Sequence, residues 1–250
     1  MKLVLTALLF LLGLVVCLEI GYRLGVRRGK SVPNAHEGFG AIEAAVFGIF
    51  GLLLSLSFVG ATSRLEVRRN LIVEETNAIA DAYTHVDLLP ESDQPEVRRL
   101  FREYVDLRMR ISEEPDSALD ESQIQSSRSL QQAILRHAVS ASKTGDAAGG
   151  RLLLSATNQM MDVATKKTLA KQTHLSGVVF ALLAVAALLS GLVAGFGMAR
   201  GRRNWLSILV YALIVTTTLY VMLDMEFPRS GLIRLTTADR AMIDLRESIQ

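Results

Sequence analysis

Cysteine is nearly absent: Cys17 is the only one in 250 residues, which excludes an intrachain disulfide and any cysteine-based zinc site. The four histidines, His36, His85, His137 and His174, are scattered rather than set at ligand spacing. No metal or cofactor is therefore expected. A phosphate-cradling glycine loop, an HExxH pair and a Gly-x-Ser-x-Gly elbow are all missing. No apolar segment holds a Ser/Lys or Ser/His couple that could make a nucleophile. These absences leave an enzyme without a visible site. A strong charge of one sign is lacking too: the formal net charge is +2, and the central segment is slightly more acidic than basic, so no nucleic-acid surface is expected.

What the chain does have is apolar residues in blocks. Half of it is hydrophobic although 21% is charged, and the two kinds are segregated. Leu3–Tyr22, with Glu19 as its only charge, Ala44–Ser63, Leu175–Ala199 and Asn204–Leu223 are the long apolar runs. A helix needs about 20 such residues to cross the hydrocarbon, at ~1.5 Å of rise each. The runs are too long and too uniform for barrel strands, so four transmembrane helices in a lipid bilayer are expected. The first run also resembles a secretory signal, with Lys2 before it and LVVC at Leu14–Cys17. Val16 is not the small residue such a cleavage site requires, and the stretch exceeds a signal core, so a retained helix is expected. Arg23, Arg27, Arg28 and Lys30 in the first loop and Arg200, Arg202 and Arg203 in the third favour placing those loops in the cytoplasm. Arg64, Arg68, Arg69, Lys166, Lys167 and Lys171 beside the central segment pull the other way.

Between the second and third crossings the pattern is helical throughout, and no strand signal occurs. Leu65, Ile72, Ile79 and Val86 recur every seven residues with no Gly or Pro after the second crossing, so that helix is expected to run on until Pro90. A second amphipathic helix is expected over 96–112, with Val97, Leu100, Phe101, Tyr104, Leu107 and Ile111 on one face. A third covers 120–141, and a flexible KTGDAAGG stretch over 143–150 follows it. A fourth is expected to start near Arg151 and run into the third crossing. The fold class is thus all-α: a polytopic membrane protein with an extramembrane helical bundle continuous with the second and third crossings. The expected segments are 1–62 (helices 1 and 2), 63–173 (the bundle), 174–226 (helices 3 and 4) and 227–250 (a turn and an amphipathic helix).

Polar residues at the membrane carry the functional hints. Glu19, Glu43, Asp224 and Glu226 sit near the ends of the apolar runs, and ionisable groups deep in a bilayer are paired or hydrated. Glu19 and Glu226 are read as reaching the interface. Glu43 suits either that or an aqueous pathway. The second helix has a small-residue stripe, Ala41, Ala45, Gly48, Ser55 and Thr62, which normally means close packing. Its bulky stripe, Phe47, Phe50, Leu54 and Phe58, forms a core or lipid face, or, in an oligomer, a hydrophobic constriction. Glu43, Phe47, Phe50, Leu54 and Ser57 are therefore the candidate pore or constriction residues. In the third helix Gly191 and Gly195 make a GxxxG pair. In the fourth, Thr216, Thr217 and Thr218 can return hydrogen bonds to their own backbone. The tail DMEFPRSGLIRL marks a structural or interface motif: Asp224, Glu226 and Arg229 can pair locally, Pro228 stops a helix and Gly231 allows a sharp turn. Thr236 and Asp239 resemble a helix cap. The helix they start presents Met242, Leu245 and Ile249 to the bundle or a neighbour.

The stretches VFGIFGLLLSLSFVGATSRLEVRRNLIVEETNAIADAY, FREYVDLR, NQMMD and DMEFPRSGLIRL resemble a bacterial membrane family of unknown function labelled bestrophin-like. The resemblance covers nearly the whole chain, and the closing motif is its most specific part. By analogy it implies a ring-shaped homo-oligomeric channel in the cell membrane, an inner membrane in bacteria, whose second helix lines the pathway of a permeant ion. It assigns Phe47, Phe50 and Leu54 to a hydrophobic neck, where Phe50→Ala would raise conductance. No acidic clasp for calcium is evident. A membrane-anchored interaction module whose bundle binds a protein partner is the alternative, motivated by a large central segment without catalytic features. A transporter is less attractive, since inverted repeats and a broken mid-membrane helix are missing.

Overall fold

The computed structural model describes residues 2–31, 39–114, 121–143, 147–199, 205–228, 231–233 and 236–249. The expectations placed on Arg200, Arg202, Arg203 and Arg229 lie outside these residues. Among them the chain forms eight α-helices, one 3-10 turn and no strand: α1 (Lys2–Ser31), α2 (Phe39–Thr84), the turn His85–Leu88, α3 (Gln94–Glu113), α4 (Glu121–Lys143), α5 (Ala147–Gln172), α6 (Gly177–Met198), α7 (Trp205–Glu226) and α8 (Thr236–Ser248). Four segments are long and apolar enough to cross a membrane, Leu3–Arg28, Phe39–Leu88, Ala147–Met198 and Trp205–Glu226. The protein is thus an all-α, multi-pass membrane protein.

Two compact units divide the chain. One comprises Met1–Ser63 and His174–Glu226, the other Arg64–Thr173 and Phe227–Gln250. We call them the membrane unit and the bundle.

The membrane unit is built on a glycine seam between α1 and α6. A Cβ on Gly195 would lie 2.0 Å from the Leu18 carbonyl oxygen, and one on Gly21 would lie 2.0 Å from the Leu192 carbonyl oxygen. Gly191 meets the Leu14 side chain and Gly25 meets Ala199 and Phe196 in the same way. The GxxxG pair of α6 is therefore matched by a second one, Gly21 and Gly25, on α1. Lipid offers no hydrophobic drive to bring helices together, so close backbone approach supplies the attraction through dispersion. Leu14, Leu18, Leu183, Ala187, Ala212 and Met222 are buried around this seam and α7. Ser190 donates to the Ala187 carbonyl (2.8 Å) and shares a 2.7 Å hydrogen bond with the Tyr211 hydroxyl. Of the fourth crossing's threonines, Thr218 bonds back to the Ile214 carbonyl at 2.9 Å. The Thr216 hydroxyl is buried and does not do so, contrary to the expectation.

In the bundle, α2 runs to Thr84 and gives way to the 3-10 turn His85–Leu88, so the α-helix itself stops short of Pro90, where the stripe through Val86 placed its end. Ile79, Val86, Val97, Phe101, Tyr104, Ile134, Leu153 and Met160 form the centre of one core, all fully buried. Met242 and Leu245 of α8, with Ile249 just past its end, join the same core, so the amphipathic tail docks on its own bundle. Arg246 Nε fixes it further on Asp106 at 2.5 Å.

Two details differ from the sequence reading. The Ala147–Gly150 stretch is helical rather than a flexible joint, because its glycines allow backbones to touch. A Cβ on Gly149 would lie 2.5 Å from the Leu88 carbonyl oxygen, and one on Gly150 would lie 2.2 Å from the Ser142 nitrogen. The arm α5 and the crossing α6 also do not share one unbroken hydrogen-bond ladder, since Thr173–Ser176 separates them. Polar groups take over there. Arg68 donates to the carbonyls of Ala170 (3.1 Å) and Thr173 (2.8 Å), satisfying the end of α5. The Ser176 hydroxyl caps α6 by accepting from the Val178 N–H.

Candidate functional site

The sequence points first to the membrane turns of α2. Glu43, Phe47, Phe50, Leu54 and Ser57 recur at four- and three-residue intervals, so the helix places them on one face. That face looks toward the chain's own helices. Phe47 stands edge-on to Tyr211 of α7, with ring centroids 5.9 Å apart. The Glu43 carboxylate lies beside Gly197, close enough that a Cβ there would meet its Oε1 at 2.7 Å. Phe50 is buried, at 6% exposure, while Glu43, Phe47, Leu54 and Ser57 are half-buried. The neighbouring face, about 100° further round the helix, is open. Ala44, Gly48, Gly51 and Ser55 are exposed, and nothing lies within 4 Å of where a Cβ would stand on Gly48 or Gly51.

Of the tail acids, Glu226 has a structural duty. Asp224 and Glu226 are buried, at 2% and 0% exposure. The Glu226 carboxylate accepts the Leu175 N–H at 2.5 Å, with His174 Nδ1 3.9 Å away. It therefore satisfies a backbone donor just ahead of α6 rather than reaching the interface, which corrects the reading of Glu226. Glu19, by contrast, pairs with Arg23 at 2.7 Å on the outside of α1. Pro228, two residues past the end of α7, is buried, and Gly231 lies in a bend.

A second centre, in the bundle, escaped the sequence reading. Glu75 of α2 is fully buried and holds two cations. Its Oε1 accepts from Arg108 Nε at 2.6 Å and faces Nη2 at 2.5 Å. Its Oε2 accepts from Lys167 Nζ of α5 at 2.5 Å. Burial alone would push the Glu75 carboxyl up, but Arg108 and then Lys167 hold it below its ordinary value through charge and hydrogen bonding. Lys167 is pulled down by burial, and by Arg108 beside it, despite the pull of Glu75 and Asp239 in the other direction. One helical turn before Arg108, Tyr104 is pushed up to about 12, chiefly by burial, and its hydroxyl accepts from Gln131 Nε2 at 3.0 Å.

The sequence did carry a signal for this cluster. Glu75 lies three residues after Ile72 and four before Ile79, on the apolar stripe. Arg108 follows Tyr104 by four, and Lys167 follows Ala164 by three. Charged residues on a core face require partners, and only three-dimensional packing says which. Among the described residues no group of acids, histidines and cysteines is arranged to hold a metal ion.

The family model described as Bestrophin-like domain matches residues 7–239. No curated protein and no solved structure matches the chain.

Proposed function

We propose that this chain, which belongs to the bestrophin-like family, assembles into an oligomeric membrane channel or passive pore with α2 along the ion pathway. Family membership points to a channel or pore as the kind of function. Four crossings in one chain are too few to enclose a wide pore, so the reading requires several copies around an axis. The observation that carries the choice of α2 is its open face. Along Ala44, Gly48, Gly51 and Ser55 the helix presents small side chains that no other part of its own chain covers. Small residues let another helix or a hydrated pathway approach the backbone closely.

In this arrangement Phe47 and Phe50 support α2 from behind, through Tyr211 and the chain's interior. Glu43, Leu54 and Ser57 flank the pathway at the edges of the same helix. Substituting Phe50 by Ala then opens a cavity in the packing rather than widening a neck.

Cysteine accessibility tests the assignment. With the single native cysteine removed by Cys17→Ser, G51C and F50C are compared in reconstituted bilayers using a membrane-impermeant thiol reagent. Current through the G51C protein is expected to fall on labelling, while F50C stays unmodified. Modification and block at F50C, with G51C silent, would put the pathway on the other face of α2 and overturn the assignment.

A further inference from the structure

A cavity of about 340 Å³ opens in the bundle between α3, α4 and α5, within the roughly 300–1,000 Å³ range of small-molecule sites. We propose that it binds a small organic anion, a carboxylate on an apolar body, whose charged end meets the guanidinium of Arg108. This inference is independent of the channel reading.

The chemistry of the walls is mixed. Arg108, Ser127, Gln131 and Arg128 contribute polar groups to the lining, and Ile124, Met161 and Leu169 contribute apolar ones. Such a mixture rejects a purely apolar guest and a bare hydrated ion alike. Arg108 is the only cation here that is both deeply buried and on the cavity wall, at 4% exposure. Glu75 occupies the Nε and Nη2 edge of its guanidinium through one oxygen, while the other oxygen of Glu75 is taken by Lys167. The Nη1 edge is not engaged by Glu75, so it can donate to a ligand carboxylate without breaking the existing pair.

The surrounding charges also fit an anion. Two buried cations, Arg108 and Lys167, share the single carboxylate of Glu75. Asp239 of α8 adds a more distant negative charge toward Lys167. Exposed Arg128 and Glu121 on the cavity wall offset one another. A ligand carboxylate beside Arg108 supplies the second close negative charge that this pair of cations lacks. The hydroxyls of Thr165 and Thr168, also on the wall, are already bonded to the Met161 and Ala164 carbonyls at 2.9 Å. They impose no further polar demand, so an aliphatic body can lie against their methyl groups.

Calorimetric titration of the full-length protein in mild detergent tests the site with three probes: hexanoate, its uncharged analogue hexanamide, and inorganic phosphate. Hexanoate is expected to bind saturably, with hexanamide at least about tenfold weaker because the charge-assisted hydrogen bond is lost. Phosphate, having no apolar body, is expected to bind more weakly than hexanoate. Arg108→Lys keeps the charge beside Glu75 but loses the planar fork, and should weaken hexanoate about tenfold. Thr168→Leu fills the cavity without touching the ion cluster and should abolish binding, which decides the matter even if the Arg108 variant misfolds. Equal binding of hexanoate and hexanamide, tighter binding of phosphate than hexanoate, or undiminished hexanoate binding by Thr168→Leu would each overturn the proposal.

Discussion

Glu75→Gln is expected to destabilise the bundle by about 3–5 kcal/mol, the cost of leaving buried cations without their counter-charge. Both carboxylate oxygens are in use, one on Arg108 and one on Lys167, so an uncharged amide cannot replace them. Hydrogen exchange of the α3, α4 and α5 amides in the full-length protein reads this directly, as protection lost across the bundle. Replacing Glu75, Arg108 and Lys167 together by Leu is expected to restore most of it, since exchanging a whole buried ion cluster for apolar groups is close to neutral. An unchanged exchange pattern in Glu75→Gln would mean that the cluster does not hold the bundle together.

The same cluster makes the bundle acid-sensitive. The Glu75 carboxyl is held below its ordinary 4.5 in the folded chain. Below pH 4.5 the unfolded chain therefore takes up a proton that the folded one still refuses. The stabilisation from Glu75 is complete above that value and is lost as pH falls through the folded pKa. Lys167, depressed in the folded state, acts in the same direction at the alkaline end. The unfolded chain binds its proton more tightly, so stability rises with pH up to the ordinary lysine value.

Gly195→Leu is expected to prevent the membrane unit from folding as it does here. Ordinary overpacking costs about 1–3 kcal/mol when side chains can yield. Here the first added carbon would lie 2.0 Å from the Leu18 carbonyl oxygen, and backbone in a helix cannot yield without moving α1 bodily. The expected readout is a large loss of monodisperse protein after gentle heating in detergent. Gly177→Leu is the control, because nothing lies within 4 Å of its Cβ position, and the fold should survive. Equal survival of the two variants would contradict the seam.

Much of this architecture could be read from the sequence, for identifiable reasons. The crossings are uniform apolar runs of the length a bilayer demands. Pro90 closes the helical stretch that α2 and the turn His85–Leu88 make together, because it can continue no helix. The stripe Met242, Leu245 and Ile249 had a core to join. The seam was only half legible, since Gly191 and Gly195 acquire meaning once Gly21 and Gly25 face them. Gly149 and Gly150 read as flexible because glycine serves both mobility and close contact, and sequence does not tell the two apart. The ion cluster was missed because its members come from three helices, and a charge on an apolar face does not name its partners. For α2 the periodicity defined a bulky stripe through Phe47, Phe50 and Leu54 and a small-residue stripe through Ala41, Ala45, Gly48, Ser55 and Thr62 without saying which one the chain keeps for itself. Burial of Phe50 and the open space around Gly48 and Gly51 decide that for the single chain.

The channel reading stands or falls on assembly, and the protein-only mass of the complex in mild detergent measures it most directly. By light scattering or native mass spectrometry, the account predicts one discrete complex of several copies, enough to surround an axis with their α2 helices. A monomer or simple dimer that persists across detergents would contradict it.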